Sequence, residues 1–124
     1  MVAGLGIDMI EVDRIAVKIN KESGFRELIF SANEIAYCES KTNKFENYAA
    51  RFAAKEAFFK ALGTGWLEGT AFNEVEVIHA DNGKPELVFS GNTAQIINAM
   101  VFINISVSLS HIKAMASAVV IIEK

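Results

Sequence analysis

The segment Arg51-Phe52-Ala53-Ala54-Lys55-Glu56-Ala57-Phe58-Phe59-Lys60-Ala61-Leu62-Gly63-Thr64-Gly65 decides the architecture. Ala, Leu, Lys and Glu favour helix, and the run stops at a glycine, the usual residue past a helix end. At about 100° per residue, Glu56 and Lys60 share one side, Arg51 and Lys55 share another, and Phe52 and Phe59 lie between them. No clean solvent face remains. A helix apolar nearly all round is expected to be buried, and buried charges need partners. One carboxylate among several cations is what a metal-and-phosphate site requires. The plainer alternative is a core helix carrying i,i+4 surface ion pairs.

A second carboxylate stands in Met1-Val2-Ala3-Gly4-Leu5-Gly6-Ile7-Asp8-Met9-Ile10, an apolar run that reads as an N-terminal strand. Burying Asp8 there unpaired would be costly, so it needs a cation or a structural role. Glu11 follows three residues later, so Asp8 also reads as a helix N-cap. Gly4 and Gly6, spaced by two, leave one face of the strand bare for something to approach the backbone. No G-x-G-x-x-G precedes a helix, so this is not a dinucleotide fingerprint.

From Glu11 to Asn20 a short helix is expected, with a helical turn over Phe25–Phe30. Ser31-Ala32-Asn33-Glu34 is a capping box opening a helix to about Ser40. The long helix runs from about Phe45 to Leu62. Beyond Gly65 the period changes. Val75 and Val77 alternate with Glu74, Glu76 and Ile78, and Asp81-Asn82-Gly83-Lys84-Pro85 carries the Asn-Gly hairpin signal. Glu86–Ser90 is the return strand, and Thr93–Met100 a short helix. Ile103, Ile105, Val107 and Leu109 then alternate with Asn104, Ser106, Ser108 and Ser110 as a half-buried strand. After a turn at Ile112-Lys113, Met115–Ile122 returns as a buried strand. Helices gather in the first half and strands in the second. The fold class expected is α+β, an antiparallel sheet packed on a long central helix, as one domain over residues 1–124.

Three blocks carry a resemblance: Gly4-Leu5-Gly6-Ile7-Asp8 through Arg14; Arg51-Phe52-Ala53-Ala54-Lys55-Glu56-Ala57 through Gly65; and Ser108-Leu109-Ser110-His111. In order and spacing the chain resembles the holo-[acyl-carrier-protein] synthase family, the small bacterial class of 4'-phosphopantetheinyl transferases. The resemblance implies transfer of phosphopantetheine from coenzyme A to a serine hydroxyl of apo acyl carrier protein, releasing adenosine 3',5'-bisphosphate, in support of fatty acid biosynthesis. It also implies a homotrimer with sites at the subunit junctions.

Displacement at phosphorus depends mostly on positioning and charge neutralisation. Mg²⁺ suits it, because that ion keeps several waters and needs only one or two carboxylates beside phosphate oxygens. Asp8 and Glu56 supply these. Lys60, one turn beyond Glu56, would neutralise the remaining pyrophosphate charge, so Asp8, Glu56 and Lys60 form the expected catalytic set. Arg51 is a fork for the 3'-phosphate of coenzyme A. Lys55 either assists it or pairs with the neighbours of Glu56. Glu56 could take the serine proton directly or through a metal-bound water. The resemblance places Ser110 and His111 at the coenzyme A phosphates, and the Asn82-Gly83-Lys84-Pro85 turn against the adenine. His79 reads as a surface strand residue. Where the family commonly has a polar pair and then a tyrosine after the histidine, this chain has Ile112-Lys113-Ala114-Met115. A binding protein that keeps the coenzyme A pocket without turnover is the competing reading, and two carboxylates facing a pyrophosphate count against it.

Composition narrows the partners. The net charge of −3 argues against nucleic acid, and no apolar run reaches the roughly 20 residues that span a bilayer. The single cysteine, Cys38, excludes an internal disulfide, and no secretory signal pattern is seen, so a cytoplasmic location is expected. Hydrophobic residues make up 52% of so short a chain, which hints at apolar surface buried between copies. Arg14, Lys18 and Lys21 fall at i, i+4 and i+7, a basic stripe suited to a small acidic partner. Given the resemblance, that partner is the carrier protein.

Overall fold

The computed structural model describes residues 1–124. The chain runs β1 (Val2–Glu11), α1 (Val12–Asn20), α2 (Phe25–Ile29), α3 (Ala32–Glu39), α4 (Lys44–Ala61), a 3₁₀ turn (Phe72–Glu74), β2 (Val75–His79), β3 (Pro85–Phe89), α5 (Gly91–Asn98), β4 (Asn104–His111) and β5 (Met115–Glu123). Strands β1, β5 and β4 form one antiparallel sheet in that order, and β2 and β3 form a separate hairpin. The expected elements are present with boundaries shifted by a residue or two. Residues 72–74 are the exception: Glu74, read as part of the strand alternation, lies in the 3₁₀ turn, and the strand begins only at Val75.

Helix α4 is buried all round, as its sequence demands. Ala49, Ala50, Ala53, Ala54, Ala57, Phe58 and Phe59 are each at most 3% exposed. On one side it lies against the inner face of the sheet, where Ile10, Val107, Ala116, Ala118, Val120 and Ile122 complete the core. On the other, Phe58 meets Phe89 of the hairpin at 5.0 Å between ring centroids, and Phe59 meets Phe72 edge-on at 5.1 Å. Alanines bring the helix close to the sheet while phenylalanines fill the wider gap opposite.

The bare face of β1 is filled by this helix. A Cβ built on Gly4 would stand 2.0 Å from the Ala61 carbonyl oxygen, and one on Gly6 would stand 1.9 Å from that of Ala57. The approach left open by the glycines is therefore taken by the α4 main chain. It fixes where the next residue on that face, Asp8, stands relative to the helix.

The buried charges on α4 find partners outside the helix. Lys55, fully buried, donates from Nζ to Glu34 Oε1 at 2.6 Å, to the Phe72 carbonyl at 2.9 Å and to the Val75 carbonyl. Glu34 Oε1 also accepts from the Ser31 amide, completing the capping box, and Oε2 accepts from the Val77 amide at 3.0 Å. One ion pair thus ties α3, α4 and β2 together. The i,i+4 surface-pair alternative does not hold, because Glu56 and Lys60 form no ion pair and the two cations Arg51 and Lys55 are buried. Cys38 is buried and its thiol is pushed up to about 12 by burial, which leaves it chemically inert.

The outer face of the sheet has no cover within the chain. Leu5, Ile7 and Met9 are 64%, 63% and 64% exposed, and their β5 partners across the ladder are Ile121, Val119 and Ser117. Ser106, Ser108 and Ser110 flank this stripe from β4. No helix is long and apolar enough to cross a membrane.

Candidate active site

Asp8 is not a helix cap. The N-cap of α1 is Glu11, which makes no side-chain cap bond. The strand carries on three residues past Asp8, so its carboxylate points off the helix-facing side of β1. There it accepts a hydrogen bond from Lys60 Nζ at 2.9 Å, and Lys60 also donates to the Ile7 carbonyl at 3.1 Å. Asp8 and Lys60 are 52 residues apart in sequence and adjacent in space.

Glu56, one turn before Lys60 on the same helix, joins this pair. Burial first, and then the charge of Asp8, raise its carboxyl above the usual carboxylate range, against the pull of Lys60 and Lys18. The two carboxylates are therefore close enough to feel each other. Lys60 is committed to Asp8, and Glu56 forms no ion pair of its own. A half-buried carboxylate held near a second one, with no cation assigned to it, fits a divalent ion. No third acidic, histidine or cysteine side chain gathers there, so the remaining ligands would be oxygens of water or substrate.

Arg51 lies one to two turns before Glu56 on α4. It is 3% exposed, its guanidinium carbon sits 4.2 Å from the Tyr37 ring centroid, and its Nε has no hydrogen-bond partner. A buried guanidinium without a carboxylate is an anion site in waiting. It opens on a cleft lined also by Asn33, Tyr37, Glu76 and His79. His79 stacks on Tyr37 at 5.5 Å, and burial, Arg51 and Lys41 lower its pKa. His79 is an exposed residue at the end of β2, as the sequence reading had it, while Tyr37 was passed over. The pairing of β2 with β3 sets His79 opposite Pro85 at the foot of the turn, and α3, packed beside β2, brings Tyr37 onto it. In that turn Gly83 has φ +85° and Asn82 Oδ1 accepts from the Lys84 amide at 3.0 Å, leaving an exposed tip beside the cleft.

Lys55 takes no part in the cleft, since all its donors are spent on Glu34 and two carbonyls. Nothing at Lys55 marked this beforehand, and Glu34 was legible only as a capping residue.

Ser110 and His111 lie elsewhere. His111 ends β4 opposite Ala116, and its Nδ1 is 2.9 Å from Glu46 Oε1 in the first turn of α4. Ten residues of helix separate Glu46 from Glu56, about 15 Å at the usual rise per residue. One chain brings together Asp8, Glu56 and Lys60, with Arg51 further along the same helix, and leaves His111 apart from them.

In the basic stripe along α1 and its C-cap, Arg14 and Lys21 are exposed and Lys18 is half-buried. Arg14, Lys18 and Lys21 surround Val17, itself 55% exposed, and Lys18 Nζ lies 5.4 Å from the Phe25 ring centroid. Arg26 is drawn off by Glu27 at 2.7 Å and Glu39 at 3.4 Å.

Known proteins share this sequence and fold. The family model of the 4'-phosphopantetheinyl transferase superfamily matches residues 4–101. The holo-[acyl-carrier-protein] synthase of Cytophaga hutchinsonii is 44% identical, covering 100% of this chain and 99% of its own. The crystal structure of the holo-[acyl-carrier-protein] synthase of Neisseria meningitidis superposes with a TM-score of 0.89 at 31% identity, covering 100% of both chains. The Bacillus anthracis synthase, solved in complex with CoA (3',5'-ADP), superposes at 0.82 and 37% identity, over 100% of this chain and 98% of that one. On the blocks around Asp8 and Glu56, the matching family model and the full-length similarity of sequence and fold, the chain belongs to the 4'-phosphopantetheinyl transferase superfamily and is an enzyme of its holo-[acyl-carrier-protein] synthase family.

Proposed function

We propose that this enzyme transfers 4'-phosphopantetheine from coenzyme A to a serine hydroxyl of apo acyl carrier protein in a Mg²⁺-dependent reaction, in the cytoplasm and in support of fatty acid biosynthesis. The observation that carries the reading is the cluster of Asp8, Glu56 and Lys60: two coupled carboxylates, one of them without an ion pair, beside an ammonium.

Asp8 and Glu56 would hold the ion, which when bound supplies charge neutralisation at the pyrophosphate oxygens. Lys60 covers the anionic charge left over. The serine oxygen forms a bond to the β-phosphorus while the bond from that phosphorus to the bridging oxygen breaks, and the electron pair leaves with adenosine 3',5'-bisphosphate. Glu56, whose proton affinity is raised by its surroundings, accepts the serine proton. Arg51 takes the 3'-phosphate, and Asn82, Gly83, Lys84 and Pro85 lie against the adenine. Arg14, Lys18 and Lys21 receive the acidic carrier.

His111 and Ser110 serve the coenzyme A phosphates of a neighbouring subunit. Two features support a homotrimer with junctional sites: the uncovered stripe of Leu5, Ile7 and Met9, and the separation of His111 from its own chain's cluster.

The test is to incubate the protein with coenzyme A, Mg²⁺ and an apo carrier and to weigh the carrier by mass spectrometry. A gain of one phosphopantetheine that requires Mg²⁺ and disappears in a folded Glu56→Ala variant is expected. Coenzyme A binding with an unmodified carrier would instead favour a non-catalytic coenzyme A-binding oligomer.

A further inference from the structure

His111 stands where β4 runs out, and one residue of the opposite layer holds it. Glu46 Oε1 lies 2.9 Å from His111 Nδ1, with the two side chains 22% and 32% exposed. An ionised carboxylate can only accept, so Nδ1 carries the proton and donates it. Glu46 makes no other ion pair, and its neighbour Lys44 is turned to Glu39 at 3.3 Å. The bond crosses from the first turn of α4 to the edge of the sheet, two elements already fixed by the core. It is therefore a preset orientation for the ring.

With Nδ1 engaged, Nε2 is the nitrogen left to meet a ligand. The carboxylate on Nδ1 orients the ring, much as second-sphere carboxylates orient ligating histidines. Ser110 and Ser117, paired across β4 and β5, line a shallow depression with His111 at the end of β4. Glu46, which holds the ring, lies about 15 Å along α4 from Glu56, so His111 is held apart from that end of the helix.

We infer that Glu46 is a positioning residue for the transfer reaction. Through Nδ1 it fixes the His111 imidazole so that Nε2 is presented to a phosphate of coenzyme A bound at the neighbouring subunit. This rests on the reading of His111 as a coenzyme A contact.

The experiment compares the full-length protein with Glu46→Ala, Glu46→Gln, His111→Ala and the Glu46→Ala/His111→Ala double variant. It reads KM for coenzyme A and kcat at saturating carrier, and the ¹⁵N imidazole signals of His111 with and without coenzyme A. Glu46→Ala is expected to raise KM about tenfold, the loss of one charge-assisted partner, with a smaller change in kcat. It should also change the Nδ1 signal of His111. Glu46→Gln, whose amide oxygen still accepts from Nδ1, should keep the ring orientation and recover part of the affinity. The double variant should be no worse than His111→Ala. An unchanged KM and Nδ1 signal in Glu46→Ala, or losses that simply add in the double variant, would overturn the inference. A wild-type KM in His111→Ala, with the Nδ1 signal still dependent on Glu46, would overturn it through the underlying reading of His111 instead.

Discussion

Replacing Gly6 by alanine tests the link between the packing of β1 on α4 and the placing of the carboxylates. The added methyl would lie 1.9 Å from the Ala57 carbonyl oxygen and 2.7 Å from the Ala61 nitrogen. To reach even 3.0 Å, strand and helix must part by about 1 Å, since 3.0 less 1.9 leaves 1.1 Å. Both contacts are with helix backbone, so no rotamer relieves them, and Ala57→Gly would not rescue the variant. Overpacking a well-filled core costs about 1–3 kcal/mol. A clash with main chain on a helix buried all round belongs at the upper end, near ~3 kcal/mol against a typical total of ~5–15 kcal/mol. The same displacement draws Asp8, two residues on, away from Glu56 and Lys60, and a shift of ~1 Å at reacting groups can cost on the order of 100-fold in rate. Urea unfolding followed by circular dichroism at fixed protein concentration reads the first effect, and the transfer rate at saturating coenzyme A the second. A Gly6→Ala protein within about 0.5 kcal/mol of its parent, the spread of ordinary surface substitutions, and with full activity would refute the reasoning.

Glu56→Gln should raise the melting temperature at neutral pH without divalent ions. The raised carboxyl binds its proton more tightly folded than unfolded, so its contribution is present below the unfolded pKa and is lost as pH rises through the folded one. The gain should fade in acid, which thermal scans across pH would reveal. Lys55→Met should cost about 3–5 kcal/mol by stranding Glu34 as a buried charge, with much of the loss restored by adding Glu34→Gln, as denaturant titrations of the two variants would read. If the proposed trimer closes over Leu5, Ile7 and Met9, Ile7→Arg should shift the protein to smaller species in sedimentation velocity, and activity should fall with it.

Most of the fold was legible because α4 and β4 are written in unambiguous periods. The largely apolar helix is buried over most of its surface, and the alternation holds from Ile105 to Leu109, whereas Ile103, read into the same strand, is 80% exposed and lies before it. Asp8, Glu56 and Lys60 could be named from residue type and motif. The destination of each charge could not be read. Lys55 and Arg51 share one helical side and similar burial, yet one is saturated by Glu34 while the other keeps an unpartnered nitrogen. That difference depends on α3 and β2 docking beside them, a long-range matter invisible to local spacing. The same holds for Tyr37 and His79, brought into contact by the docking of α3 beside β2, and for Glu46, whose meeting with His111 spans 65 residues.

The Glu34–Lys55 pair constrains how this chain can change over time. A substitution at either position leaves the other ionised in a dry interior, so neither can drift alone by small steps. Descendants that lose the pair should lose both members together, and positions 34 and 55 should co-vary although they are 21 positions apart in sequence.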